Sequence, residues 1–363
     1  MELNLKHPVR AVARQFQLHG QFLTAAIYGS GHMHDTYCVV FDQGGTRVRY
    51  ILQRLNHHVF QNPPALMENV QRVTAHLGKK AAGEADPGRR VLTLIPERGG
   101  RAYYCDPQGN HWRVYIFIEK ARTLDVVETP RQAHEAGKAF GQFQKLLADL
   151  PAPRLHDTIP DFHDTPKRFA ALEKSMAADA ASRARLAQPE IEFALKRKAI
   201  TGGLLDAKLP ERVTHNDTKL NNVMLDDATG EAICVIDLDT AMPGLALYDF
   251  GDMVRTMTSP AQEDERDLTK VRMQFPMFEA LVRGYLAAAA EFLTPAEKKL
   301  LPFSGKLITF EIGLRFLTDY LAGDTYFKVH REGHNLDRCR TQFKLVESIE
   351  QQEPAMEKLV ETI

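Results

Sequence analysis

Apolar residues in the first third of the chain fall in short runs bounded by glycine-rich turns, whereas beyond it they recur at helical intervals. Leu23–Tyr28, Thr36–Phe41 and Arg47–Leu52 read as strands separated by Gly29-Ser30-Gly31 and by Asp42-Gln-Gly-Gly45. Residues 66, 70, 73 and 77 then repeat with the period of a helix. Ala81–Arg90 is a loop by composition. Arg101–Cys105 and His111–Ile118 form a further hairpin around Asp106–Asn110, giving a sheet of about five strands.

Past Glu119–Asp125 the pattern turns helical. Thr129-Pro130 supplies an N-cap followed by proline at the first helical position, and apolar residues at 136, 139, 140, 143, 146, 147 and 150 continue that helix. Thr165-Pro166 repeats the start signal, and Lys167–Lys198 reads as one or two solvent-facing helices. Phe303–Leu321 is helical again, with Glu311, Arg315 and Asp319 on one face. The expectation is an α+β, two-lobed molecule, with a small antiparallel sheet lobe over residues 1–120 and a larger, mainly helical lobe over 121–363.

Composition narrows the partners. The 363 residues carry a net charge of −1, which offers no broad basic footprint for nucleic acid. No apolar run approaches the roughly 20 residues needed to span a bilayer, and the first residues lack an apolar signal core, so a cytoplasmic location is expected. The four cysteines lie far apart without a CxxC pair and signal neither a zinc site nor a disulfide framework.

The chemistry concentrates between Val213 and Asp239. His215 stands two residues before Asp217, Asn222 five residues after it, and the apolar run Ala232–Ile236 ends at Asp237. Phosphoryl transfer uses such spacing: one carboxylate receives the proton of the attacking hydroxyl, while an amide oxygen and a second carboxylate hold magnesium against nucleotide phosphates. Asp217 is the candidate base. Asn222 and Asp237 are candidate magnesium ligands, with Asp239 a further one, since hard magnesium takes oxygen donors. His215 reads as a brace for the loop. Lys219 is either a phosphate contact or a solvated cation.

With His215, Asp217, Asn222, Val235-Ile-Asp-Leu-Asp239 and Met242–Asp252, the chain resembles the aminoglycoside phosphotransferase and choline kinase superfamily. Within it, it is most similar to the N-acetylhexosamine 1-kinases. That resemblance implies a protein-kinase-like fold, ATP and magnesium as cofactors, and a small-molecule acceptor. It implies nucleotide contacts from Gly29, Ser30 and Gly31, although an ordinary hairpin tip has the same composition. It also implies a hinge at Phe117, Ile118 and Glu119. In many relatives a lysine of the third strand meets the phosphates; Gln53 stands there, so Arg54 or the metal and backbone amides take its place. Glu68 either pairs with the strand cation or is an exposed carboxylate.

The acceptor side is read by the same resemblance from Arg315 and Tyr326, with Asp319 on the same helix. Charges at positions 311, 315 and 319 also suit a salt-bridged surface stripe. His34 and Asp35, at the end of the glycine loop, are placed to close over the acceptor, as are Asp249 and Asp252 more remotely. The implied reaction is transfer of the γ-phosphoryl group of ATP to the anomeric hydroxyl of N-acetylglucosamine or N-acetylgalactosamine. Kinases of other hexoses, aminoglycosides or amino alcohols are the alternatives, and a nucleotide-binding pseudokinase is the reading from another class.

Overall fold

A computed structural model of the protein describes residues 5–29 and 33–363. A short helix α1 (Val9–Ala13) precedes strands β1 (Gln21–Ile27), β2 (Asp35–Gln43) and β3 (Thr46–Arg54), and helix α2 (Pro63–Ala81) follows. Then come β4 (Leu94–Ile95), β5 (Tyr104–Cys105) and β6 (His111–Ile116). The sheet has six strands in the order β1-β2-β3-β6-β4, with β5 also paired to β6. Sequence missed β4, which has only two residues, and overextended β5 back to Arg101. Strands this short are fixed by the neighbour they pair with, more than by their own composition.

Alternation gives the sheet two dissimilar faces. Tyr37, Val39, Tyr50, Leu52, Trp112 and Val114 pack against Val9, Val12 and Phe16 on one side. Ile51 and Tyr115 face the other way and join Leu66, Val70, Val73 and Leu77 of α2. Leu238 and Ala241 belong to that second cluster. Helix α2 therefore couples the sheet to the segment that carries Asp237 and Asp239.

The C-terminal region begins with β7 (Ala121–Arg122) and continues with α3 (Pro130–Leu147), α4 (Thr165–Ala178), α5 (Gln188–Lys196) and α6 (Gly203–Asp206). Strands β8 (Arg212–Thr214), β9 (Val223–Asp226), β10 (Ala232–Val235) and β11 (Met242–Gly244) follow. Helices α7 (Ala246–Met257), α8 (Phe275–Ala289), α9 (Pro295–Lys299), α10 (Leu301–Leu321) and α11 (His334–Thr362) complete it. The Thr129 hydroxyl and Gln132 form a reciprocal capping box at the start of α3. At α4 the cap is Asp164, one residue earlier than the Thr165-Pro166 signal suggested, and it accepts from Lys167 N at 3.0 Å.

One large core joins α3, α4, α7, α8, α10 and α11. Phe169, Leu172, Ile191 and Ala194 are buried in it, so the helices expected to face solvent have an apolar side turned inward. Helices α3 and α8 approach so closely that a Cβ on Gly284 would lie 2.0 Å from the His134 carbonyl oxygen. The small sheets β10-β9-β7 and β11-β8 are the rigid mounts between which the conspicuous loops are strung. Among the described residues no helix is long and apolar enough to cross a membrane.

Candidate active site

The loop from His215 to Asn222 joins β8 to β9, and the loop carrying Asp237 and Asp239 joins β10 to β11. Two hydrogen bonds of one imidazole tie the loops together. His215 Nδ1 accepts the Asp217 N–H at 3.3 Å, so Nε2 carries the proton and donates to the Ile236 carbonyl at 2.9 Å. The ring is buried, with Phe140 and Phe143 edge-on to it.

Helix α7 holds the same loop from below. The Asp249 carboxylate accepts the N–H groups of His215 at 2.9 Å and Asn216 at 2.7 Å, and the Gln144 amide at 2.7 Å. Asp252 accepts Thr218 N at 2.9 Å and Arg255 Nε at 2.8 Å. Both carboxylates are buried and engaged, so they brace the loop and do not reach an acceptor. Burial pushes the Asp249 carboxyl up from its ordinary range, against the pull of His215 and the loop amides.

Asp217 and Asn222 are in contact. Asn222 Nδ2 donates to the Asp217 carbonyl at 2.8 Å and to its carboxylate at 3.1 Å, which leaves the Asn222 amide oxygen free for a cation. Lys219 lies 2.8 Å from the other Asp217 oxygen. Burial raises the Asp217 carboxyl, and Lys219, His215 and Arg255 more than offset that, so it sits below the usual range. Asp237 behaves in the opposite way. It has no salt-bridge partner among the described residues, and desolvation within the cluster together with Asp239 and Asp217 raises it, even though its side chain is open to solvent. Asp237 thus stands among carboxylate charge with no ion-pair partner of its own among the described residues, a setting that suits a divalent cation. The backbone of Asp237 is left-handed, with φ +59°.

Asp239 differs from both. Its two oxygens are held by the Arg113 guanidinium, Nη2 at 2.8 Å and Nη1 closer, and by Nε2 of His34. Burial would raise its carboxyl, but Arg113 and His34 bring it far below the ordinary range. His34, Asp237 and Asp239 bring their ligand atoms within 4.8 Å of one another. With both oxygens of Asp239 engaged, Asn222 and Asp237 are the freer metal donors.

Several expected contacts lie elsewhere. Arg54 faces the side of the sheet away from Gln53, donating to Asp35 at 2.6 Å, with His7 at 2.9 Å from the same carboxylate. Side-chain alternation explains this, because a one-residue step along a strand reverses the face. Neither Arg54 nor Asp35 is a cleft residue. Glu68 is exposed and pairs with His156 at 2.9 Å, so it meets no strand cation; its neighbour Asn69 is the buried one, donating to the Ala241 carbonyl at 3.1 Å. His34 has both nitrogens occupied, Nδ1 accepting Asn56 N at 3.0 Å and Nε2 on Asp239, so it does not reach an acceptor in this conformation.

On α10 the supposed stripe is interior. Asp319 accepts the N–H groups of Thr325, Tyr326 and Phe327 at 2.8–2.9 Å and is not available to a hydroxyl. Glu311 is buried between His163 at 2.8 Å and Thr165 at 2.5 Å. Arg315 has no carboxylate partner among the described residues, and its guanidinium lies over the rings of Phe162 at 5.0 Å and Tyr326 at 5.9 Å. Tyr326 is 61% exposed.

At the expected hinge, Arg49 covers the Phe117 ring at 3.8 Å and pairs with Glu119, while Ile118 packs on Met224 and Cys234. A cavity of about 760 Å³ lined by Leu23, Val40, Arg49 and Glu119 lies beside it. Gly29 has φ +79°, open to glycine at no steric penalty. Ser30 and Gly31 lie outside the described residues.

Arg113 went unnoticed in the sequence. Its side chain is 1% exposed, and it stands directly across the β3–β6 pairing from Gln53. A lone cation in His-Trp-Arg-Val-Tyr-Ile, with apolar neighbours on both sides, was the available signal.

The fold has known counterparts. The chain is similar in structure to an aminoglycoside phosphotransferase from Alicyclobacillus acidocaldarius, with 12% identity, TM-score 0.65, and coverage of 100% of this chain and 98% of the other. It is similar to choline kinase from Cryptosporidium parvum Iowa II, with 13% identity, TM-score 0.55 and 95% of each chain covered. It also resembles spectinomycin phosphotransferase in its complex with ADP and spectinomycin, with 12% identity, TM-score 0.55, and 92% and 94% covered. These likenesses establish a protein-kinase-like fold. A sequence model of the phosphotransferase enzyme family matches residues 24–293, which spans the sheet, both loops and helices α2 to α8, and the chain therefore belongs to the phosphotransferase enzyme family.

Proposed function

We propose that the protein is an ATP- and magnesium-dependent kinase that phosphorylates the anomeric hydroxyl of an N-acetylhexosamine, giving the sugar 1-phosphate. The observation that carries the phosphoryl-transfer part is Asp217 and Asn222 in contact on a loop clamped by His215, Asp249 and Asp252, with Asp237 on the adjoining loop. Asp217 accepts or orients the hydroxyl proton. The Asn222 amide oxygen and the Asp237 carboxylate would hold magnesium, whose charge neutralises the phosphate oxygens during transfer. His215 keeps the two loops in register. The hinge near residue 120 divides a nucleotide-binding lobe from a catalytic and acceptor-binding lobe, and the nucleotide sits against Phe117 and Ile118.

The acceptor is assigned to Arg315 and Tyr326. A cavity of about 230 Å³ lies close by, with Phe162, which packs under Arg315, and Asn216, adjacent to Asp217 in the chain, in its lining. Arg168 is near enough to Arg315 that burial and the neighbouring charge both lower its guanidinium. Neither Arg315 nor Arg168 has an ion-pair partner among the described residues, but the cavity itself is lined by Asp157, Asp161, Asp164 and Glu211, so the preference for a neutral, hydroxyl-rich acceptor rests on the resemblance and not on charge. Amino alcohols, the acceptor class in the names of several structural neighbours, are the competing reading.

The test is ADP release with ATP and magnesium against N-acetylhexosamines, plain hexoses, aminoglycosides and amino alcohols, with phosphorus NMR of the product. A sugar 1-phosphate is expected. Release only with an aminoglycoside or amino alcohol overturns the acceptor, and ATP binding without release for any acceptor overturns the kinase reading in favour of a nucleotide-binding module.

A further inference from the structure

The third strand has a neutral amide where the resembled kinases carry a phosphate-binding lysine, yet the cleft behind it is not without a cation. Gln53 and Arg113 are directly opposed in the β3–β6 register, so both side chains leave the sheet on the same face. Gln53 Oε1 accepts Arg113 Nε at 2.9 Å, and Gln53 Nε2 donates to Thr36 Oγ1 at 3.1 Å, a chain of hydrogen bonds across three strands. The other end of the guanidinium grips Asp239, two residues from the proposed metal ligand Asp237. Asp237 itself feels the Arg113 charge. A guanidinium has five N–H bonds; three are used here, by Gln53 and Asp239, and two remain. On the same face of β6, the Tyr115 hydroxyl is buried and has no partner among the described residues.

The geometry points to Arg113 as the phosphate-binding cation of this cleft, moved one strand sideways from β3 to β6, with Gln53 as the residue that aims it. The ligand class is the polyphosphate of a nucleoside triphosphate. Arginine suits the position better than lysine, because its planar fork holds Asp239 and Gln53 at once with two N–H groups left over, whereas an ammonium is a single point of charge. The sideways move also explains why Gln53 is an amide. A lysine there would set a second cation against Arg113 with Asp239 already shared, whereas a glutamine accepts from Nε and donates onward to Thr36. This inference rests on the kinase reading but not on the identity of the acceptor.

The experiment measures binding of adenosine, ADP and ATP, each with magnesium, by calorimetry. Arg113→Met is expected to weaken ATP by about ten- to a hundredfold, the worth of a charge-assisted hydrogen bond or two, to weaken ADP less, and to leave adenosine within about twofold. Gln53→Lys in the Arg113→Met background, which returns a cation to the neighbouring strand, is expected to recover at least half of the loss on a logarithmic scale. Removing Arg113 leaves buried Asp239 with His34 as its remaining partner, so if that variant fails to fold the comparison is Asp239→Asn against Arg113→Met/Asp239→Asn, with the same phosphate-dependent loss expected. Equal losses for adenosine and ATP, no loss at all, or no recovery by Gln53→Lys overturn the assignment. A wild-type chain that binds ATP normally in those cases leaves the kinase reading standing, whereas a wild-type chain without affinity for ATP overturns both.

Discussion

The two walls of the cleft are built on different principles. The lower wall, His215 to Asn222, keeps its functional side chains on one contiguous stretch, braced within itself by His215 and Asn222 and from outside by the Ile236 carbonyl and the Asp249 and Asp252 carboxylates of α7. The upper wall takes its geometry from pairing between strands: Gln53 and Arg113 are 60 residues apart, and Arg113 and Asp239 are 126 apart. A wall made of one segment preserves its spacing in the sequence, whereas a wall made by register can pass a function from one strand to the next without leaving a local trace. On the assignment of Arg113, the phosphate cation has moved one strand across this sheet while the spacing of His215, Asp217 and Asn222 is kept.

Variants probe this contrast, and the largest effect belongs to the contiguous wall. Asp217→Asn is expected to lower turnover by about 10²–10⁴-fold, the usual worth of a positioned acid–base group, while ADP affinity stays within about twofold. Steady-state ADP release alongside calorimetry checks both, and retained turnover removes Asp217 from the base position. Asp237→Ala should abolish the magnesium dependence of ATP binding, so that adding EDTA no longer changes the affinity. If EDTA still weakens binding in the variant, the metal is held elsewhere.

Below these stands a stability effect. Asp249→Ala removes an acceptor from two backbone N–H groups and Gln144 in a buried setting, and about 3–5 kcal/mol of stability is expected to go with it. Urea unfolding reads this, and a loss below about 1 kcal/mol would mean that the base loop supports itself. The smallest effects belong to residues on the wrong face or at the surface. Arg54→Ala and Glu68→Ala should each leave the ATP KM within about twofold, since Glu68 is part of an exposed pair and Arg54 is spent on Asp35. A tenfold rise for Arg54→Ala would put the phosphate cation back on β3 and erase the contrast between the walls.

What the sequence disclosed follows the same division. The antiparallel sheet, the helical C-terminal region and the cap at Thr129 were readable because period and capping chemistry are local. The spacing of His215, Asp217 and Asn222 was readable for the same reason. Arg113 was not, because its importance depends on lying opposite Gln53, which requires knowing that β3 pairs with β6. Arg54 misled through the parity of a strand, where an adjacent cation looks like a substitute but points away. Glu311 and Asp319 misled because charges at helical spacing look solvated until α4 and the 325–327 turn are seen to cover them.

The left-handed backbone at Asp237, a residue with a side chain in a region of φ and ψ that suits glycine, sets this site against the interests of the folded state. Such a residue costs about 1–3 kcal/mol, and a carboxylate crowded by two others adds to the burden. Relief of that backbone strain by Asp237→Gly is expected to stabilise the fold at the expense of the proposed metal site. With the metal role proposed for Asp237, the melting temperature is expected to rise and turnover to fall on Asp237→Gly, and gains in stability are better sought in the helical core.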